Sequence, residues 1–170
     1  SAQPHLGLLL ATANSGLDRA RSTAQDWIRA ARTFVAQDAS FLAGLIGSPR
    51  SDTRRFARAF VTELGLADNI RAQLVARLVA GLLAPERRDE EKSRDIVETL
   101  FVSLSSALHA LPLQVLLDLA AHPLESVQSC AARAALERPE FARDPPAALL
   151  QALMESTFAP VRVKGMELFG

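Results

Sequence analysis

The residues in this sequence that are best suited to chemistry are arginines at helical spacing. Arg50, Arg54 and Arg58 recur at intervals of four, with Arg55 beside them, so we expect them on the exposed side of one helix. A planar guanidinium can bind two oxygens of a carboxylate or a phosphate at once. The pattern therefore favours a surface for an acidic protein or for nucleic acid, and a solvated face with scattered ion pairs is the plain alternative.

Arginines of the preceding segment extend this prediction. Arg21, Arg29 and Arg32 share one side of Leu17–Gln37, which the spacing predicts to be a single long helix. Its buried stripe is expected to hold Leu17, Ala20, Ala24, Trp27, Ala31 and Phe34, which recur at spacings of three and four. The candidate partner-binding residues are Arg29, Arg32, Arg50, Arg54, Arg55 and Arg58.

The other reactive side chains favour structural roles. Cys130 is the one cysteine of the chain, so it cannot form an intrachain disulfide, and no paired histidine activates it. His5, His109 and His122 are too scattered for a metal site, and His122 falls in a turn that it is expected to cap. We therefore predict a chain that is not an enzyme, with no catalytic residue, metal, cofactor or small-molecule ligand.

Composition points to an all-α domain. The chain has 170 residues, 49% of them hydrophobic, dominated by Leu and Ala, which favour helices, and no segment alternates with period two. Formal net charge is zero, which disfavours a dedicated nucleic-acid binder, although residues 1–60 carry eight Arg against four Asp, a net +4. The single cysteine indicates a reducing compartment, so we expect a cytoplasmic protein, and no apolar stretch is long enough to span a membrane.

Periodicity and cap residues divide the chain into helices. Asp38, Ser51, Asp68 and Ser93 are expected to be N-caps, and the polar stretch Pro85–Lys92 a surface loop. The predicted helices are His5–Ala13, Leu17–Gln37, Ala39–Ile46, 51–64, Asn69–Leu83, Arg94–Ala110, Leu113–Ala121, Leu124–Glu137, Pro146–Glu155 and one from Ala159 to the end.

One pattern recurs three times, offset by 74 and then by 34 residues. Its turn residue is Ser48, His122 or Ser156. A β-branched residue follows five positions later (Thr53, Val127 and Val161), and a long polar residue follows six positions later (Arg54, Gln128 and Arg162). A small residue follows nine positions later (Ala57, Ala131 and Gly165). Self-similarity at 34–37 residues is typical of stacked helical hairpins, and one further unit fits between the first two copies.

The pattern resembles the HEAT repeat family, in which Val-Arg opens the second helix of each hairpin. Val161-Arg162 matches this signature, and Val127-Gln128 and Thr53-Arg54 each keep half of it. The resemblance covers about residues 41–169. It implies one right-handed α-solenoid module over 1–170, with about four hairpins near 38–64, 67–110, 112–137 and 145–169 after one or two N-terminal helices.

HEAT-like proteins mostly present extended surfaces to protein partners, so the resemblance implies a non-catalytic interaction or scaffold module. The arginine set adds an acidic protein as a candidate partner. The alternative is a nucleic-acid-binding module related to the HEAT-like DNA glycosylases for alkylated bases, which one Trp, no Tyr and zero net charge disfavour. Seventeen of the nineteen basic residues are Arg, as in GC-rich bacterial coding sequences. We expect the module to be part of a longer bacterial protein, because apolar residues near both ends (Leu6, Leu8–Leu10; Phe158, Met166, Leu168, Phe169) would meet further repeats.

Two packing expectations follow. Val127 and Val161 should be buried beneath the turns between helices, where a charge would unfold the module. Arg54, in contrast, is expected to be exposed, so that Arg54→Glu should leave the fold intact.

Overall fold

The computed structural model describes residues 5–84 and 89–170, and every regular element within these ranges is helical, as the composition predicts. Their thirteen helices are α1 (Leu6–Ala13), α2 (Asp18–Ala30), α3 (Arg32–Val35), α4 (Ala39–Ile46), α5 (Ser51–Leu64), α6 (Asp68–Leu83), α7 (Glu90–Ser103), α8 (Ser105–Leu108), α9 (Leu113–Ala120), α10 (Glu125–Leu136), α11 (Pro139–Arg143), α12 (Ala147–Met154) and α13 (Ala159–Phe169). None of these helices is long and apolar enough to cross a membrane.

The helices pack in pairs, and the pairs pack on one another in chain order. The pairs are α1 with α2, α4 with α5, α6 with α7, α9 with α10, and α12 with α13. Their second helices form a continuous row in which α2 contacts α5, α5 contacts α7, α7 contacts α10 and α10 contacts α13. Since each amphipathic pair exposes an apolar stripe that it cannot bury alone, neighbouring pairs cover it for one another.

The recurring sequence positions form the core between the helices. Val127 and Val161 are fully buried, as predicted. The small residues Ala57 and Ala131 are also fully buried, and a Cβ atom at Gly165 would lie 3.0 Å from the Leu153 Cβ atom. A small side chain at this position therefore permits close contact between the two helices of a pair, as the repeat predicts.

The predicted caps are right in one case and displaced in the others. The Asp38 carboxylate accepts the Phe41 N–H at 2.9 Å and caps α4. Ser51 and Asp68 are the first residues of their helices and not N-caps. The cap of α7 is Asp89, whose carboxylate accepts the Lys92 N–H, so this helix begins four residues before the predicted start.

The predicted loop Pro85–Lys92 is consequently wrong in its second half, where α7 has already begun. Residues 85–88 of that loop lie outside the described ranges. The predicted helix Arg94–Ala110 is interrupted at Leu104, where the backbone leaves the helical conformation (φ −134°, ψ 16°) between α7 and α8.

The long helix predicted over Leu17–Gln37 is also interrupted. Ala31 (φ −96°, ψ 15°) separates α2 from α3. The buried residues of α2 are Arg21, Ala24 and Ile28, whereas Trp27 is exposed, so the prediction that Trp27 packs in the core is wrong. Helix α2 packs against α1 and α5 with Ala24 and Ile28 buried, whereas Trp27 lies beside Leu8 and Leu9 of α1 and is 53% exposed.

Candidate interaction surface

A hydrogen-bond pattern repeated at the turns determines the surroundings of several candidate arginines. In each copy the long polar residue donates to the backbone carbonyl of the turn residue six positions earlier. The donor and acceptor pairs are Arg54 Nη1 and Ser48 O (2.9 Å), Gln128 Nε2 and His122 O (2.7 Å), and Arg162 Nη1 and Ser156 O (2.8 Å). The side chain thus satisfies a carbonyl near the end of the first helix that would otherwise lack a partner.

The side chain of the turn residue completes the pattern. It accepts the backbone N–H two positions later: Arg50 N–H to Ser48 Oγ (3.0 Å), Leu124 N–H to His122 Nδ1 (3.1 Å) and Phe158 N–H to Ser156 Oγ (3.0 Å). The predicted capping role of His122 is confirmed. We refer to the two hydrogen bonds together as the turn motif.

The first helix pair carries a fourth turn motif, which the sequence prediction missed. Ser15 Oγ accepts the Leu17 N–H at 3.1 Å, and Arg21 Nη1 donates to Ser15 O at 2.8 Å. Ala24 occupies the small position and is fully buried. The offsets of zero, six and nine were present in the sequence, but Ala20 replaces the β-branched residue. The helices α1 and α2 therefore form a unit equivalent to the others.

Arg21 also connects this first unit to the second. Its Nε donates to Asp52 Oδ2 at 2.8 Å, and Nη2 pairs with Asp18. Partial burial tends to raise the pKa of Asp52, but the hydrogen bond and charge of Arg21 outweigh this effect and hold that pKa below its ordinary value of 3.8. The hydrogen bond from Arg21 to Asp52 raises the pKa of Arg21 in turn.

Arg54 makes the equivalent connection between α5 and α7, and the prediction that it is exposed is wrong. Its Nε donates to Asp95 Oδ2 at 2.7 Å, and its Nη2 lies 3.4 Å from Glu91 Oε1. The side chain is buried because α7 packs over this side of α5. Arg54 is therefore a structural residue whose charge is already balanced, and it is not accessible to a partner.

Arg58 lies on the same side of α5 and is half-buried. Its Nε donates to Thr99 Oγ1 at 3.2 Å and its Nη2 to the backbone carbonyl of Asp95 at 3.4 Å. A longer contact of 3.6 Å joins it to the Asp95 carboxylate. Arg58 is consequently occupied at the α5–α7 junction, and it offers little of its guanidinium to solvent.

Arg50 and Arg55 remain exposed at the beginning of α5. They border an open groove of about 640 Å³, which is also lined by the carboxylates of Asp18, Asp89 and Glu91. Opposite charges are therefore interleaved in this groove, which weakens its positive potential toward an anionic ligand.

Arg29 and Arg32 lie in a second groove, between α2–α3 and the C-terminal half of α5, which we name the α2–α5 groove. It has a volume of about 330 Å³ and is lined by Arg29, Arg32, Thr33, Ala36, Phe60, Glu63 and Leu64. The Arg29 guanidinium lies 4.8 Å above the Phe56 ring, which stacks on Phe60 at a centroid distance of 5.4 Å. Phe60 thus forms an aromatic floor between two exposed cations, Phe56 is buried beneath Arg29, and Arg29 Nη1 also lies 3.5 Å from the Asp26 carboxylate.

The structure therefore divides the six candidate arginines into three groups. Arg29 and Arg32 share the α2–α5 groove, Arg50 and Arg55 lie at the opposite end of α5, and Arg54 and Arg58 face α7. Ten residues of α5 separate Arg50 from Phe60, a distance of about 15 Å along the helix axis. The expected single positive surface is replaced by two separate grooves.

Cys130 is fully buried, as its predicted structural role requires. Burial raises the pKa of its thiol to about 12, with a small opposing effect from the charge of Arg133. The thiol is accordingly protonated and unreactive at neutral pH. No group of three or more His, Cys, Asp and Glu side chains in residues 5–84 and 89–170 is arranged to hold a metal ion.

Comparisons of the chain with protein-family models, with curated proteins and with solved structures find no significant match.

Proposed function

We propose that this chain is a non-catalytic protein–protein interaction module built as a right-handed α-solenoid of HEAT-like hairpins, and that its α2–α5 groove binds an acidic segment of a protein partner. Four turn motifs at equivalent positions and the continuous row of second helices support the solenoid arrangement.

The α2–α5 groove is the observation on which the proposed function depends. The exposed guanidinium groups of Arg29 and Arg32 can bind carboxylates, while Phe60 and Leu64 line the groove with apolar surface. Glu63 is the one carboxylate among its lining residues. This chemistry suits a segment that alternates Asp or Glu with Leu or Phe, because each kind of side chain then meets its complement.

Nucleic-acid binding, as in the HEAT-like glycosylases for alkylated bases, is the second candidate. The exposed Arg50 and Arg55 favour it, since guanidinium groups also bind phosphates. However, Asp18, Asp89 and Glu91 line the same groove and would repel a phosphate backbone. An acidic protein segment at the α2–α5 groove is therefore the better-supported partner.

Fluorescence anisotropy with two labelled peptides tests the proposal. One peptide alternates Asp and Glu with Leu and Phe, and the other replaces each acid by its amide. We expect the acidic peptide to bind and the amide peptide to bind at least about tenfold more weakly, a difference of about 1.4 kcal/mol. Affinity should decrease with added salt, because ion pairs at exposed sites are screened.

Two double variants that each remove two positive charges locate the site. Arg29→Gln with Arg32→Gln should weaken binding of the acidic peptide about tenfold, and Arg50→Gln with Arg55→Gln should change it less than about twofold. Equal losses in both variants would contradict a site in the α2–α5 groove. A labelled DNA duplex at low salt completes the assay: duplex binding that is lost on replacing Arg50 and Arg55, without peptide binding, would favour the nucleic-acid candidate.

A further inference from the structure

Two apolar faces are exposed at opposite ends of the row of helix pairs. The upstream face, on α1–α3 and the residue preceding α2, consists of Leu8, Leu17, Trp27 and Phe34, which are 47–70% exposed. The downstream face, on α12 and α13, consists of Met154, Val163, Met166 and Phe169, which are 42–70% exposed. Large apolar side chains gathered on one face are typical of an interaction site.

Two residues of the upstream face, Leu8 and Trp27, occupy positions that are buried or half-buried in the other pairs with a turn motif. Leu8 lies seven positions before its turn residue. Its equivalents Phe41 and Leu149 are at most 4% exposed, and the third equivalent, Val115, is half-buried. Trp27 lies twelve positions after the turn residue, and its equivalents are Phe60, Ala134 and Leu168, all at most 5% exposed. In the later pairs these positions are covered, whereas in the first pair they are open.

Two residues of the downstream face, Met154 and Phe169, likewise occupy positions that are buried in the other pairs with a turn motif. Phe169 lies thirteen positions after its turn residue, where the other pairs have Ile28, Val61 and Ala135, all at most 2% exposed. Met154 lies two positions before the turn residue, where the other pairs have Ala13, Ile46 and Ala120, all at most 5% exposed.

We call the offsets of Leu8 and Trp27 the upstream positions and those of Met154 and Phe169 the downstream positions. Each end exposes only one of these two sets of positions. In the first pair the downstream positions Ala13 and Ile28 are buried, and in the last pair the upstream positions Leu149 and Leu168 are buried. Where two successive pairs pack on each other, the downstream positions of the first pair lie against the upstream positions of the second. A downstream face is therefore complementary to an upstream face, and neither face is complementary to itself.

We propose that the occupant of these faces is a second copy of this chain, whose downstream face packs on the upstream face of the first and so continues the internal junction. The upstream face carries an apolar groove of about 470 Å³ beside Trp27 and Phe34, which has room for large side chains such as Met166 and Phe169. Because each added copy leaves one face of each kind free, the contact builds open chains and not a closed dimer.

Sedimentation velocity with two complementary variants tests this arrangement. The first variant, Leu8→Glu with Trp27→Glu, blocks the upstream face, and the second, Met166→Glu with Phe169→Glu, blocks the downstream face. We expect the mass of the unmodified chain to increase with concentration, each variant alone to be monomeric, and their equimolar mixture to form a 1:1 heterodimer through the two intact faces. All four residues are exposed, so circular dichroism should show folded variants.

A matched control replaces exposed apolar residues away from both faces. Val102→Glu with Leu113→Glu should self-associate like the unmodified chain. Self-association of either single-face variant would mean that like faces pair, and it would overturn the proposal. An unmodified chain that is monomeric at about 0.1 mM, a hundred times a micromolar Kd, would also overturn it and leave these faces to a different protein or to a further repeat.

Discussion

The turn motif and the α2–α5 groove use the same side chain in opposite surroundings. In the turn motif, Arg21 and Arg54 are buried, donate to a turn carbonyl and pair with a carboxylate of the next helix pair. In the groove, Arg29 and Arg32 are exposed beside an aromatic floor. The difference shows that what covers a helix face, and not the residue type, decides whether an arginine stabilises the fold or is available to a partner.

The turn motif itself changes along the chain. Its polar residue is Arg in three of the four copies, and two of these, Arg21 and Arg54, form ion pairs between units. In the third copy Gln128 accepts the Ser156 hydroxyl at 2.5 Å without any charge. Both arrangements satisfy the same turn carbonyl. This position therefore requires a side chain that is long enough to donate a hydrogen bond to the turn carbonyl, whether or not the side chain is charged.

The largest expected effect contrasts two valines two residues apart on α13. Val161 is fully buried and Val163 is exposed. Val161→Asp should cost at least about 3 kcal/mol of unfolding free energy, because an unpaired carboxylate would be buried. Val163→Asp should change stability by less than about 0.5 kcal/mol. Urea denaturation measures both, and similar losses would refute the assigned faces of α13.

The second effect compares two glutamines with side-chain hydrogen bonds. Gln128→Ala would remove the side-chain donor to the His122 carbonyl and the acceptor of the Ser156 hydroxyl proton, and it should cost about 1–3 kcal/mol. Gln114 donates to Asp118 at an exposed site, so Gln114→Ala should cost less than about 0.5 kcal/mol. Thermal unfolding measures the melting temperature of both variants. Equal melting temperatures would show that the turn motif is dispensable for stability.

The third effect concerns the acid stability of the Arg21–Asp52 pair. Since the pKa of Asp52 is lower in the folded chain than its ordinary value of 3.8, this carboxylate stabilises the fold above that value, and the contribution is lost as pH falls through the lowered pKa. Asp52→Asn should therefore be less stable than the unmodified chain at pH 7, and the difference should shrink toward pH 2. A constant difference across this pH range would argue against a charged pair.

The smallest effect on stability is expected at the α2–α5 groove. Arg29→Gln with Arg32→Gln removes exposed charges and one contact between a guanidinium and the Phe56 ring, so unfolding free energy should fall by at most about 1 kcal/mol. The same double variant is expected to lose peptide binding. A larger loss of unfolding free energy, measured by urea denaturation, would show that Arg29 and Arg32 are structural residues like Arg54.

Much of the helical framework could be predicted from the sequence because local rules determine it. The buried Val127 and Val161, the small residues Ala57 and Ala131 and the capping His122 all followed from the repeated offsets. Each of these features depends on contacts within one helix pair or at its own turn. The same rules also gave the all-α class.

The candidate site was harder to predict, because helical spacing shows which residues share a side and not which neighbour covers that side. Arg54 faces α7, and Trp27 is 53% exposed, so both were assigned to the wrong surroundings. The interruption at Ala31 carries no Gly or Pro signal. The turn motif at Ser15 was obscured by the alanine at position 20.

The adjacent residues Arg54 and Arg55 allow the most direct test of the division between structural and exposed arginines. Equilibrium urea denaturation of Arg54→Ala should show a loss of about 2–3 kcal/mol, because the Ser48 carbonyl loses its side-chain donor and the Asp95 carboxylate loses its nearer cation. Arg55→Ala should remain within about 0.5 kcal/mol of the unmodified chain. Arg54→Gln, which copies Gln128, should recover part of the loss. Equal stabilities of the two alanine variants would contradict the buried turn motif on which this division depends.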